Sequence, residues 1–197
     1  MMKKPYHHGN LRAALLAAAR ARLTEGAEAT LSLRDLAARV GVSVNATYRH
    51  FESKEALLME LAAEGFDALR AHMLGAVAQL GSAETIERLR ATGEAYVHFA
   101  QHDPALFQLM FGREGRFAEY ERFRQATEAA FAVVVGCVAA VQQVAMDDPS
   151  ATKAAIAAWS LVHGFAILSL GGYLEALPDA LRPSVREVVK TLEVSLA

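Results

Sequence analysis

Apolar residues recur at helical spacing along almost the whole chain. Leu11, Leu15, Ala19 and Leu23 mark a first helix that stops near Gly26. Leu33, Leu36, Ala37 and Val40 fall at i, i+3, i+4 and i+7, one face of a second helix. Ser32 is placed to cap it, and Gly41 ends it by entering the left-handed region. Val42 then turns back to the core, and Ser43 opens a third helix through Tyr48 and His50. A long stripe follows from a Ser53 cap: Leu57, Leu61, Phe66, Leu69, Met73, Val77 and Leu80 on one helix from Lys54 to the Gly81-Ser82 break. Further helices are expected over Thr85–Gln101, Ala105–Phe111 behind Asp103-Pro104, Phe117–Met146, Thr152–Leu174 behind a Ser150 cap, and Val185–Leu196. No run alternates with the period of a strand. The expected class is all-α.

The second and third helices, joined by a tight turn containing Gly41, have the form of a helix-turn-helix. Ala37 is small where the two must approach. The third helix carries Asn45, Thr47, Tyr48, Arg49 and His50, a dense run of groups able to meet phosphate and base edges. Spacing alone leaves a second reading open: a helical hairpin whose second member is simply solvated.

The residues that follow bear on this choice. Tyr48-Arg49-His50-Phe51 runs into Glu52-Ser53-Lys54-Glu55-Ala56-Leu57-Leu58. With the Val42-Ser43 turn, this resembles the N-terminal signature of the TetR family of transcriptional regulators over roughly residues 8–60. Thr47 departs from the pattern, standing where the family usually has an apolar residue. The resemblance implies a homodimeric, ligand-responsive regulator, usually a repressor, that binds a palindromic operator in double-stranded DNA. On this basis residues 1–52 are expected to form a helix-turn-helix domain, and residues 53–197 a helical ligand-binding and dimerisation domain. The DNA-facing set is then Ser32, Arg34, Ser43, Val44, Asn45, Thr47, Tyr48, Arg49, His50 and Lys54. Tyr48 and Lys54 are assigned to phosphate, and Val44, Asn45 and Arg49 to bases.

Charge agrees once it is divided. The net charge is −2, which is unpromising for a DNA binder. Residues 1–60 nevertheless hold nine Lys/Arg against six Asp/Glu, a net +3, while residues 61–197 hold eleven against sixteen, a net −5. One basic end on an acidic body is the asymmetry of a chain that meets phosphate at that end. Lys3, Lys4, His7 and His8 extend the basic region as a short arm. A hydrophobic content of 53% argues against disorder. The single Cys137 excludes an internal disulfide framework and fits a reducing cytoplasm. The polar start lacks the apolar core of a secretory signal.

Two stretches, Ala129–Met146 and Ala154–Leu174, are apolar enough to raise a membrane-spanning reading. Both are rich in Ala, Gly and Ser and lack clear Lys/Arg flanks, so no membrane association is expected. Small residues suit helices packed across a subunit interface, and Thr152–Leu174 with Val185–Leu196 are the expected dimer helices, Val189 lying on their exposed apolar side.

The body's aromatic and Met side chains suggest an apolar effector cavity of roughly 300 Å³ or more. Its expected lining is Phe66, Met73, Phe99, Phe107, Met110 and Phe111, with His98, His102 or His163 as a polar handle. Trp159 and His163-Gly164 resemble a C-terminal motif of one group of TetR-like regulators. That resemblance implies a structural role for them, while their apolar setting leaves Trp159 and His163 as ligand-binding candidates. His98 and His102 have a chelating i, i+4 spacing but no third partner nearby, so no metal is assigned, and no cofactor. No phosphate loop, serine elbow or carboxylate pair supports an enzyme. Two alternatives stand beside the ligand-responsive reading: a DNA-binding protein whose body only dimerises, and a small membrane-associated helical protein.

Overall fold

The computed structural model describes residues 11–28, 30–82, 84–112 and 119–191. Among these are nine α-helices and no strand: α1 (Leu11–Thr24), α2 (Leu33–Val40), α3 (Val44–Tyr48), α4 (Lys54–Gln79), α5 (Thr85–His102), α6 (Pro104–Phe111), α7 (Glu121–Gln142), α8 (Pro149–Leu170) and α9 (Val185–Lys190). The basic-arm residues Lys3, Lys4, His7 and His8, and Phe117, Leu192 and Leu196, lie outside the described residues.

The first three helices fold around Leu15, Leu16, Ala19, Leu33 and Leu36, with Phe51 closing the base. Burying one such leucine contributes on the order of 1.5–3 kcal/mol. Ser32 caps α2 by accepting from the Asp35 N–H at 3.1 Å. Gly41 stops it at φ 77°, and the Ala37 carbonyl accepts from both Gly41 and Val42 at 2.9 Å. The close approach expected at Ala37 is present, its side chain being buried in the turn.

α4 carries the chain from the turn after α3 into the body. There it packs on α5, α6 and α7, while α5 also meets α7, α8 and α9. Two glycines set the close contacts. A Cβ on Gly65 of α4 would stand 2.7 Å from the Met110 sulfur of α6, and one on Gly93 of α5 would stand 2.9 Å from Val189 Cγ1 of α9.

Several expected boundaries move. α3 ends at Tyr48, not His50. α7 ends at Gln142 rather than Met146, because Gln143 enters the left-handed region at φ 58° and its N–H closes onto the Ala139 carbonyl. α8 opens at Pro149, and its cap is Asp148, whose carboxylate accepts from the Ser150 N–H at 2.8 Å and hydroxyl at 2.7 Å. It ends at Leu170, and the chain turns at Gly171 and Gly172. Val189 is fully buried against α5 rather than exposed on an interface. By length and composition alone, α7 and α8 are long and apolar enough to cross a membrane, with only 28% of either apolar window buried within the chain.

Candidate DNA-binding face and body cavity

The recognition face is built on α3. Ser43 caps it by accepting from the Ala46 N–H at 3.3 Å. Asn45, Tyr48, Arg49 and His50 are exposed on this helix and the turn after it, and Val44 is half-buried. Tyr48 is 55% exposed, so its ring and hydroxyl are accessible to a partner. Arg34 and the cap residues Ser32 and Ser43 are exposed nearby. Thr47 is a correction. It is fully buried, and its hydroxyl donates to the Val44 carbonyl at 2.7 Å, so it packs the helix against the core instead of facing outward. That internal bond lets a polar residue occupy a position that is usually apolar.

Ion pairs tie together the helices that carry the face. Arg22 of α1 bonds Glu25 at 2.8 Å and lies 3.2 Å from Asp35 of α2, while Arg39 of α2 reaches back to Glu25 at 3.1 Å. These guanidiniums, Arg22 foremost, hold the Glu25 carboxyl below its ordinary range. Arg12 pairs with Glu60 of α4 at 2.7 Å and lies over the Phe51 ring at 5.2 Å. Lys54 opens α4 and is half-buried, its ammonium donating to the Glu28 carbonyl at 2.8 Å. Two of its three donors remain for another acceptor.

In the body, α4, α5, α6, α7 and α8 line a half-open apolar cavity of about 180 Å³. Of the residues expected there, Phe66, Met73, Phe111 and Trp159 line it. Phe107 and Met110 are fully buried core instead, Met110 against Gly65 of α4 and Phe107 against Tyr96 of α5 and His163 of α8. Phe99 is also core, with its ring 6.0 Å from that of His72. His98 and His102 point outward. His98 lines an open groove between α4 and α5 with His72 and Glu94. The volume is below the roughly 300 Å³ expected.

The polar element of the cavity is Tyr96. Trp159 donates its indole N–H to the Tyr96 hydroxyl at 3.1 Å, and that hydroxyl lies 2.7 Å from His163 Nδ1. The indole is only a donor, so the tyrosine oxygen accepts there, while the hydroxyl and His163 Nδ1 share a second bond whose donor is set by the histidine tautomer. Burial pushes the Tyr96 phenol above its ordinary value and lowers that of His163. His163 lies behind the wall rather than in the lining, its ring 4.7 Å from that of Phe111 and tilted 58° to it.

Leu69, Tyr96, Thr127, Glu128, Ala130, Phe131 and Val134 also line the cavity and were not anticipated. A signal existed: 127, 130, 131 and 134 are i, i+3, i+4 and i+7 on α7, one helical face. Among the described residues, no group of three or more His, Cys, Asp or Glu side chains is placed to hold a metal.

Residues 15–61 match the family described as bacterial regulatory proteins, tetR family. Residues 89–192 match the tetracyclin repressor-like C-terminal domain. A protein of unknown function from Rhodococcus sp. RHA1 is 34% identical, covering 98% of this chain and 97% of that one, with TM-score 0.79. The same fold is found in a tetR-family bacterial regulatory protein from Rhodococcus RHA1 (21% identical, 95% and 96% covered, TM-score 0.64). It is found again in the TetR family regulator PfmR of Thermus thermophilus (21%, 92% and 96%, TM-score 0.59). No curated protein matches the chain. The chain belongs to the TetR family of transcriptional regulators, DNA-binding proteins rather than enzymes, with an N-terminal helix-turn-helix and a helical C-terminal domain.

Proposed function

We propose that this regulator is a cytoplasmic repressor that binds a palindromic operator as a homodimer and releases it when a small molecule enters the body cavity. Residues 1–52 serve as the DNA-binding domain and residues 53–197 as the ligand-binding and dimerisation domain. Asn45 and Arg49, with Val44, read bases, and Tyr48 and Lys54 take phosphate. The observation that carries the reading is the path of α4. Its first residue follows the end of α3 by six positions, and its Phe66, Leu69 and Met73 wall the cavity. A ligand that displaces that wall tilts the helix on which the recognition face rests.

A dimer supplies the second recognition helix. Along α8, Ile156, Ser160, Gly164, Ile167 and Leu168 form one outward stripe at i, i+4, i+8, i+11 and i+12. A Cβ on Gly164 would meet nothing within 4 Å, so this face has room for the α8 of a second copy. Covering such apolar surface is the ordinary reason for a two-fold interface.

Selection of bound sequences from random duplex DNA tests the reading. The expected product is an inverted repeat whose half-sites lie about 34–36 Å apart, or a multiple of that. Recovery of single, unrepeated sites would remove the homodimeric operator reading.

A further inference from the structure

The cavity's hydrogen-bonding inventory and size constrain what it can hold. Trp159 has one donor, and it is used on Tyr96. The Tyr96 hydroxyl is engaged with both Trp159 and His163, and the Thr127 hydroxyl donates to the Phe123 carbonyl at 2.9 Å. Each of these polar groups is thus already engaged within the protein, and a carboxylate buried in so apolar a site is strongly disfavoured. The one acid in the lining, Glu128, lies at the rim with its side chain 61% exposed. Arg124 bonds it at 2.7 Å, so a cation would find that carboxylate already compensated and solvated.

The remaining wall is apolar, with Phe66, Phe111 and Phe131 set among Leu69, Met73, Ala130 and Val134. Phe66 meets Phe111 edge-on at 5.2 Å and 72°, and Phe131 meets Trp159 at 5.7 Å and 46°. Tilted rings offer both faces and edges, the surfaces that another aromatic ring packs against. The space is about 180 Å³. An apolar cavity of roughly 150 Å³ stays dry and admits benzene, so this one has room for a single ring bearing a small substituent.

We propose that the cavity binds an uncharged, hydrocarbon-like molecule of one aromatic ring and rejects ions of the same shape. The assignment rests on the effector reading above, since it concerns the same cavity. It adds the charge, size and polarity of the occupant.

Trp159 is the chain's single tryptophan and lines the site, so its emission reports occupancy there. The full-length protein is titrated with toluene, benzoate and benzylammonium, a neutral, an anionic and a cationic probe of similar shape. Toluene is expected to shift the emission saturably, and the two ions to bind at least about tenfold more weakly. Val134→Phe and Ala130→Met, which fill the cavity from α7, should abolish the toluene response while the helical circular dichroism is kept. Two variants guard against one failing to fold. Binding of either ion as tightly as toluene, or a toluene response that survives in both filled variants, overturns the assignment, as does a folded wild-type protein that ignores toluene. Operator affinity is read in the same samples. Toluene binding that leaves operator affinity unchanged sinks the effector reading and upholds the ligand class. Operator release by benzoate or benzylammonium alone does the reverse.

Discussion

Arg20 on α1 grips Asp103 at the start of α6, with its Nη2 2.6 Å and its Nε 3.2 Å from the same carboxylate oxygen. The other oxygen of Asp103 caps α6 by accepting from the Leu106 N–H at 3.1 Å. One carboxylate thus ties the helix-turn-helix to the short helix that carries Phe107, Met110 and Phe111 beneath and beside the cavity. This tie is a second connection, besides α4, between the helices lining the cavity and the helix-turn-helix.

Breaking the tie should alter coupling more than stability. Arg20 is half-exposed, and a pair of this kind is worth about 0.2–1 kcal/mol. For a chain of this size that corresponds to a melting shift of up to about 4 °C. Asp103→Asn keeps a good cap and removes the charge. With Arg20→Gln as its partner variant, the expected result is unchanged toluene binding by Trp159 emission and a weaker effect of toluene on operator affinity. Equal coupling in both variants and wild type would leave the ion pair a purely structural contact.

On the recognition face, two substitutions should separate positioning from reading. Lys54→Ala is expected to weaken binding to all sequences alike and lower the salt slope by about one unit. Arg49→Ala should instead flatten base preference at one position of each half-site, at about 1–3 kcal/mol. Footprints and selected sequences for both variants distinguish these outcomes. An unchanged preference for Arg49→Ala would move that residue to the phosphate set.

The two close helix contacts make an ordered prediction. Adding a methyl group at a helical glycine gains up to about 1 kcal/mol of helix propensity. At Gly93 the new Cβ would meet Val189 and Val162, β-branched side chains with little rotamer freedom. At Gly65 it would meet mainly the flexible thioether of Met110. Overpacking at the stiffer site costs typically about 1–3 kcal/mol. Gly93→Ala should therefore lower the melting temperature and Gly65→Ala leave it nearly unchanged. The opposite order in calorimetry would mean that α6, not α9, is the rigid neighbour.

The stripe on α8 gives a test of assembly that Val189 does not. Val189→Glu would bury a charge in the subunit core and unfold it. Ile167 is 45% exposed, as is Leu168, so Ile167→Glu is expected to give a folded monomer with poor operator binding. Sedimentation showing an intact dimer for this variant would place the interface elsewhere.

What the sequence revealed, and what it hid, follows from where the determining contacts lie. Ser32, Gly41, Ser43 and Ser53 announce the helix-turn-helix because capping and left-handed turns are local events, decided within four residues. The end of α7 at Gln143 carries no such signal, since neither Gly nor Pro marks it. The cavity was half legible. Met and Phe are equally good as pocket wall or core, and only packing sends Phe66 and Phe111 to one and Phe107 and Met110 to the other. Tyr96 escaped notice because its partners, Trp159 and His163, stand 63 and 67 residues away.

That triad predicts a pH dependence. In the folded chain His163 Nδ1 lies 2.7 Å from the Tyr96 hydroxyl, and burial lowers the imidazole's pKa from an ordinary 6.5. Protonation would place a charge among the rings of Phe107, Phe111 and Trp159 and leave Nδ1 able only to donate to Tyr96. The unfolded chain binds that proton first, near its ordinary value, so below pH 6.5 the unfolded state takes up more protons than the folded one. The stabilisation is therefore complete above the ordinary value, falls as pH drops through it, and stops changing below the depressed folded value. His163→Gln keeps an acceptor for Tyr96 and does not titrate. Melting curves from about pH 8 to about pH 5.5 should show a steeper loss for wild type than for His163→Gln. Parallel curves would show that His163 carries its proton equally well in both states, and that the Tyr96 bond does not depend on its neutrality.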